Sequence, residues 1–122
     1  MKKEIVDWLN NIEKQDGIPP DFVIAFNLGL MESDQGFMMY FVGAFEYSEE
    51  DDDWACLEPP SKPYRYLRLP DKIQNESWET ILDLCKNALT ELENDGSLNT
   101  TLIKNAKAIT TGFDDSELIK IR

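Results

Sequence analysis

The sequence contains no histidine. This absence excludes serine–histidine–aspartate triads, cysteine–histidine pairs, histidine-ligated zinc and a histidine general base. Glycine is also scarce, and none of the six glycines lies in a GxGxxG or GxxxxGK[ST] loop, so the usual phosphate cradle of nucleotide-dependent enzymes is missing. Carboxylates are plentiful, but no pair of them is specific enough to indicate a glycosidase-type acid and base. We therefore expect a protein that is not an enzyme and has no cofactor.

Cysteine and long apolar runs are scarce as well. Cys56 and Cys85 are far apart and form no CxxC pair, which predicts reduced, partly buried thiols. No stretch approaches the roughly 18 apolar residues of a membrane span. Glu4 and Asp7 interrupt the segment where a signal peptide would need its apolar run. These features predict a cytoplasmic protein without membrane association.

Basic residues are missing from one long part of the chain. Positions 15 to 61 contain no Lys or Arg, yet they hold eleven of the 24 acidic residues and so carry nearly all of the net charge of −12. A negative pole of this kind repels nucleic acid and attracts basic proteins and cations. We therefore expect no nucleic-acid ligand and a basic protein partner, while plain solubility is the alternative explanation of the charge.

The densest acidic run does not match a known metal-binding loop. Its five consecutive carboxylates, residues 49 to 53, could attract Ca²⁺ or Mg²⁺, but an EF-hand needs acids at alternate positions followed by glycine, and Cys56 occupies that glycine position. We expect a solvated acidic loop and no dedicated metal site.

Hydrophobic periodicity predicts an α+β fold. Residues 2–14 form an amphipathic helix, and residues 77–94 form a longer helix that starts at Asn75 or Ser77 and ends at Gly96. Two apolar runs, 22–31 and 37–47, are joined by a polar turn and predict a buried hairpin, with Phe37, Phe41 and Phe45 in the core.

The remaining segments complete one domain over residues 1–122. Residues 54–57 and 64–69 predict short strands, residues 98–105 a short helix, and residues 106–111 and 118–121 a C-terminal hairpin. We expect a largely antiparallel sheet with both helices packed on it.

Acidic and aromatic residues interleave at the end of the second apolar run. Aromatic anchors ringed by charge are typical of protein-binding hot spots, because the ring buries area while the charges steer the encounter. We predict a partner-binding site there, with Tyr47 and Trp54 as its anchors. The alternative is that both rings belong to the hydrophobic core. Its members are Glu46, Tyr47, Glu49, Glu50, Asp51, Asp52, Asp53 and Trp54.

Several of these segments resemble small acidic immunity proteins of bacterial polymorphic and contact-dependent toxin systems. The most distinctive is Asp51-Asp52-Asp53-Trp54-Ala55-Cys56, supported by Gly17-Ile18-Pro19, by residues 22–30 and by Phe45-Glu46-Tyr47. The helix with Trp78 and the closing Gly112-Phe113-Asp114-Asp115 turn are consistent with the resemblance but generic.

The resemblance implies neutralisation of one cognate toxin, for example a basic nuclease, by tight stoichiometric binding. Two alternatives stay open from the residues: a general protein-interaction module, and a carboxylate-based enzyme or cation-binding protein. Oligomeric state does not follow from the sequence.

Overall fold

The computed structural model describes residues 1–48, 50, 53–55, 60–114 and 116–122, with the backbone alone for Asp53. It has two helices and a five-stranded sheet, which confirms the α+β class. The elements are α1 (Lys2–Asp16), β1 (Ala25–Ser33), β2 (Gly36–Ala44), β3 (Tyr66–Arg68), α2 (Trp78–Asn94), β4 (Ala108–Phe113) and β5 (Ile119–Lys120). Short 3₁₀ turns cover Asp53–Ala55, Pro63–Arg65, Asp71–Ile73 and Ser97–Thr100.

The sheet has the strand order β3-β2-β1-β4-β5. The β1–β2 and β4–β5 hairpins are antiparallel as predicted, and β3 adds to β2 in the same sense. The central β1–β4 pair is parallel. A parallel pair needs a crossover, and α2 lies in the chain between these two strands. The sheet is therefore mixed, although most of its described pairings are antiparallel.

One face of the sheet carries the main core. Alternate residues of β1 (Phe26, Leu28 and Leu30) point to this face, because side chains alternate along a strand. Both helices bury their apolar stripes against it, which confirms the predicted packing. The helical contributors are Ile5, Trp8, Leu9 and Ile12 of α1 and Ile81, Cys85, Ala88, Leu89 and Leu92 of α2.

The opposite face is covered in two different ways. Near the start of β1, a small second cluster places Trp54 over three strand alanines. Farther along β1, the ring of Tyr40 lies against Gly29, its cross-strand partner. The Tyr40 side chain crosses β1, and its hydroxyl donates a hydrogen bond to Asp114 at the end of β4. Gly29 thus leaves the space that the tyrosine ring occupies.

Local end signals of both helices act as predicted. Gly17 and Gly96, which follow α1 and α2, have φ angles of 81° and 80°. At the start of α2, the Ser77 hydroxyl accepts a hydrogen bond from the Thr80 amide at 3.3 Å. The Ser77 hydrogen bond satisfies a backbone amide at the helix start that would otherwise lack a partner.

Three short elements differ from the predictions. Residues 53–55 form a 3₁₀ turn, so the strand predicted from Trp54 is wrong there, and residues 56–57 lie outside the described part. Residues 63–65 also form a 3₁₀ turn, and β3 is limited to residues 66–68, because Pro63 has a φ suited to a turn start. The predicted helix at 98–105 is reduced to the 3₁₀ turn at residues 97–100.

Candidate protein-binding surface

The acidic run is described only in part. Glu46 and Glu50 are exposed, as a steering role requires. Asp53 begins a 3₁₀ turn, and nothing is stated about its side chain. Glu49, Asp51 and Asp52 lie outside the described residues.

Trp54 is buried, with 5% of its surface exposed. It fills the space above Ala25, Ala44 and Ala108, three small residues that face one another across the sheet. Its ring meets half-buried Tyr47 edge to face, with ring centroids 5.1 Å apart. In this structure Trp54 is therefore a core residue, and its predicted role as an exposed anchor needs correction.

Tyr47 also has a basic neighbour. The Lys120 ammonium lies 5.9 Å from the centre of the Tyr47 ring, a cation–π distance. A partner that reached the Tyr47 ring would therefore meet Lys120 as well. The acidic end of the sheet is not uniformly negative.

Three large apolar side chains are exposed at one end of the sheet. Ile18, Phe22 and Phe45 are 68%, 66% and 70% exposed. Ile18 and Phe22 belong to the loop that enters β1, and Phe45 directly follows β2. The first residue of β1 pairs with the last residue of β2, and Ile18 lines a cleft together with Val23 and Gly43, so all three lie at the same sheet end. We call these three residues the contact surface.

The exposure of Phe45 contradicts its predicted place in the core, and Phe22 likewise does not continue the buried alternation. Strand alternation predicts burial only while the chain remains in the sheet. Here β1 begins at Ala25 and β2 ends at Ala44, so both phenylalanines lie just beyond the ladder. The nearest sequence signal was Pro19-Pro20, since proline cannot donate hydrogen bonds within a sheet.

A shallow cleft of about 210 Å³ lies beside the contact surface. Its lining includes Ile18, Pro19 and Val23 together with the ion pair of Asp16 and Arg65. The site therefore combines protruding apolar groups with an adjacent recess.

An ion-pair network anchors the loop that carries Ile18 and Phe22. Asp16, at the end of α1, accepts hydrogen bonds from the Tyr64 hydroxyl and from Arg65, whose Nε and Nη2 lie 3.0 and 2.8 Å from Oδ2. The Lys62 ammonium lies 3.5 Å from Oδ1. The hydrogen bond from Tyr64 first, and then Arg65 and Lys62, lower the pKa of Asp16. The negative charge of Asp16 is therefore balanced by basic residues within the fold.

Replacing Asp16 with asparagine should destabilise the protein in a pH-dependent way. Because the folded-state pKa is lowered, the ionised carboxylate stabilises the fold above its unfolded pKa of about 3.9, and this contribution disappears as the pH falls through the folded pKa. The side chain is 14% exposed. We expect a loss of about 2 kcal/mol at pH 7, the range of charge-assisted hydrogen bonds, and a smaller loss near pH 3.

Urea unfolding of the wild type and Asp16→Asn at both pH values measures this difference. Asp71→Asn is the matched control, because Asp71 is 88% exposed and makes a surface ion pair with Arg68. Equal losses for Asp16→Asn at pH 7 and pH 3 would contradict the assigned role of the charge.

The structure divides the acidic window of residues 15 to 61. Exposed Asp21, Glu46 and Glu50 are located at the contact-surface end of the sheet, whereas Glu32 and Asp34 are carried to the opposite end by the β1–β2 hairpin. Sequence proximity therefore overstates how many carboxylates share one surface.

Two observations concern metal binding and nucleophiles in the described part of the chain. No cluster of three Cys, Asp or Glu suited to a metal occurs among them. The thiol of Cys85 is buried in the main core, and burial raises its pKa to about 12. A thiol with this pKa is a poor nucleophile at neutral pH.

Among the described residues, no helix combines the length and the apolar character that a membrane crossing requires. Comparison of the chain with protein-family models, with curated proteins and with solved structures found no match.

Proposed function

We propose that this protein binds a basic protein partner through the contact surface, in the manner of an immunity protein that neutralises a toxin domain. The observation that carries the proposal is the exposure of Ile18, Phe22 and Phe45 at one end of the sheet. Of the five exposed large hydrophobic side chains in the described part of the chain, these three are at this sheet end, and the other two, Trp78 and Leu84, are on α2.

The charge around the contact surface supports a basic partner. Asp21 lies beside Phe22 in sequence, and Glu46 follows Phe45, so each aromatic anchor has an acidic neighbour. Apolar anchors release water on binding, while peripheral charges increase the rate of encounter. A basic protein with an apolar patch would complement both features.

The specific assignment of a toxin rests on the resemblance of residues 51–56 to immunity proteins. An antidote must capture its target before the target acts, and electrostatic steering raises association rates by about 10- to 1,000-fold. A general interaction module would share the contact surface but would not require fast capture.

Affinity capture from the host's lysate, with elution by rising salt, tests the proposal. We expect one basic protein at a 1:1 ratio. Neutralising three acids together, Asp21→Asn, Glu46→Gln and Glu50→Gln, should slow association by about tenfold at low salt and flatten its salt dependence. Stopped-flow measurements with the purified partner give both quantities.

The matched control changes the same number of charges elsewhere. Asp7, Asp83 and Glu91 are exposed on the two helices, so Asp7→Asn, Asp83→Asn and Glu91→Gln should leave most of the steering intact. The proposal is wrong if both triple variants associate equally fast, or if the partner present in the lysate is acidic.

A further inference from the structure

A second recess lies at the end of the sheet opposite the contact surface. It is a cleft of about 730 Å³ between the β1–β2 hairpin, the start of α2 and the end of β4. Cavities of about 300–1,000 Å³ are typical of small-ligand sites. The strand β1 has nine residues, so roughly 30 Å separate this cleft from the contact surface.

Three aromatic rings line the cleft: Phe37, Trp78 and Phe113. Phe113 meets Phe37 and Trp78 in edge-to-face contacts, each with ring centroids 6.0 Å apart. In an edge-to-face pair, only one of the two rings has a face covered by the other. Trp78 is 51% exposed, whereas both phenylalanines are buried, so the indole is the accessible ring.

The rings are held in place by the fold. Phe37 is clamped by Gln74, whose Oε1 accepts from the Phe37 amide at 2.7 Å and whose Nε2 donates to the Phe37 carbonyl at 3.0 Å. Trp78 is the first residue of α2, directly after the Ser77 cap. The aromatic wall is therefore preorganised, which lowers the entropic cost of binding.

The cleft also carries negative charge. Glu32 and Asp114 line it, and no Lys or Arg lines it among the described residues. The Asp114 carboxylate accepts its hydrogen bond from Tyr40 on the opposite face of the sheet, whereas Glu32 is the cross-strand partner of Phe37 and shares the face of the aromatic rings. The start of α2 contributes a partial positive charge of about +0.5, which is smaller than the formal negative charge of Glu32 alone. The balance favours cations over anions.

The geometry points to a binding site for an organic cation, that is, a quaternary ammonium or guanidinium group held against Trp78 and paired with Glu32. Aromatic faces attract such cations electrostatically, and nearby carboxylates add to the attraction. A small hydrated metal ion would gain less, because rings supply no oxygen ligands. The cation could belong to a small molecule or to an arginine side chain of a protein.

Titrations with choline and with its neutral isostere 3,3-dimethyl-1-butanol test the charge requirement. Of the three tryptophans, Trp8 and Trp54 are buried, so the indole N–H signal of Trp78 in a ¹H–¹⁵N NMR spectrum reports on the cleft. We expect the Trp78 signal to shift with choline at a dissociation constant on the order of 1 mM, with the isostere binding about tenfold more weakly.

A parallel titration with N-acetylarginine methylamide distinguishes the two sources of the cation. Tighter binding of this probe than of choline assigns the site to an arginine side chain, and the reverse order assigns it to a small quaternary ammonium compound. Either order supports the cation site.

Two variants complete the test. Glu32→Gln should weaken cation binding at least threefold, whereas Asp34→Asn, a matched change in the same hairpin but outside the cleft lining, should not. Equal binding of choline and its isostere would overturn the proposal, as would an unshifted Trp78 signal at about ten times the expected dissociation constant.

Discussion

Replacing Gly29 with alanine is expected to lower the free energy of unfolding by about 3 kcal/mol, the upper range for overpacking a core. A Cβ atom at residue 29 would overlap the ring of Tyr40. The ring is 8% exposed and its hydroxyl bonds Asp114, so moving it exposes buried apolar surface and breaks that bond. Urea unfolding followed by circular dichroism measures the loss.

A double-mutant cycle with Tyr40→Ala isolates the cause. Gly29 does not have a positive φ, so its backbone accepts alanine without strain. Without the Tyr40 ring, the alanine should cost less than about 1 kcal/mol, because it also restricts the unfolded chain. If Gly29→Ala were equally costly in both backgrounds, the contact with Tyr40 would not be its cause.

The parts of the fold that depend on nearby residues were predictable from the sequence. The apolar stripe Ile5, Trp8, Leu9 and Ile12 defines α1, and Ser77 with Gly96 brackets α2. The β1–β2 hairpin follows from two apolar runs and a short polar turn. Each signal acts within a few positions along the chain, so periodicity and end residues are sufficient to detect it.

The parallel pairing of β1 with β4 was not predictable in the same way. It joins residues such as Asn27 and Thr110, which are 83 positions apart and whose buried side chains hydrogen-bond at 3.0 Å. No local pattern records which distant strand occupies the second edge of β1. The same limit applies to Tyr40 and Gly29, which meet because of strand register.

The proposed contact surface lies near the predicted binding site in the sequence but has different apolar residues. Glu46 and Glu50 are exposed as expected, whereas Trp54 is buried over small strand residues. Phe45 was predicted to be buried and is exposed, since the strand ends one residue before it. Recognising that Phe45 is exposed required the position of the strand end, which periodicity locates only to within a few residues.

Exposed Phe22 and Phe45 offer a direct test of the contact surface. The double variant Phe22→Ser, Phe45→Ser should reduce affinity for the captured partner at least 100-fold, because aromatic hot spots each contribute about 2 kcal/mol or more. Since both side chains are about two-thirds exposed, the free energy of unfolding should change by less than about 1 kcal/mol. Titration calorimetry with the partner, together with thermal unfolding, measures both effects.

Leu84→Ser is the matched control, since Leu84 is an exposed apolar residue on α2, outside the contact surface. It should leave affinity within about twofold of the wild type. If the double phenylalanine variant still binds within about threefold, the interface lies elsewhere on the protein. The expected result is a loss of affinity in the double variant, with normal stability and a normal control. This result would identify the two phenylalanines as the apolar centre of the interface, with Asp21, Glu46 and Glu50 as its acidic surroundings.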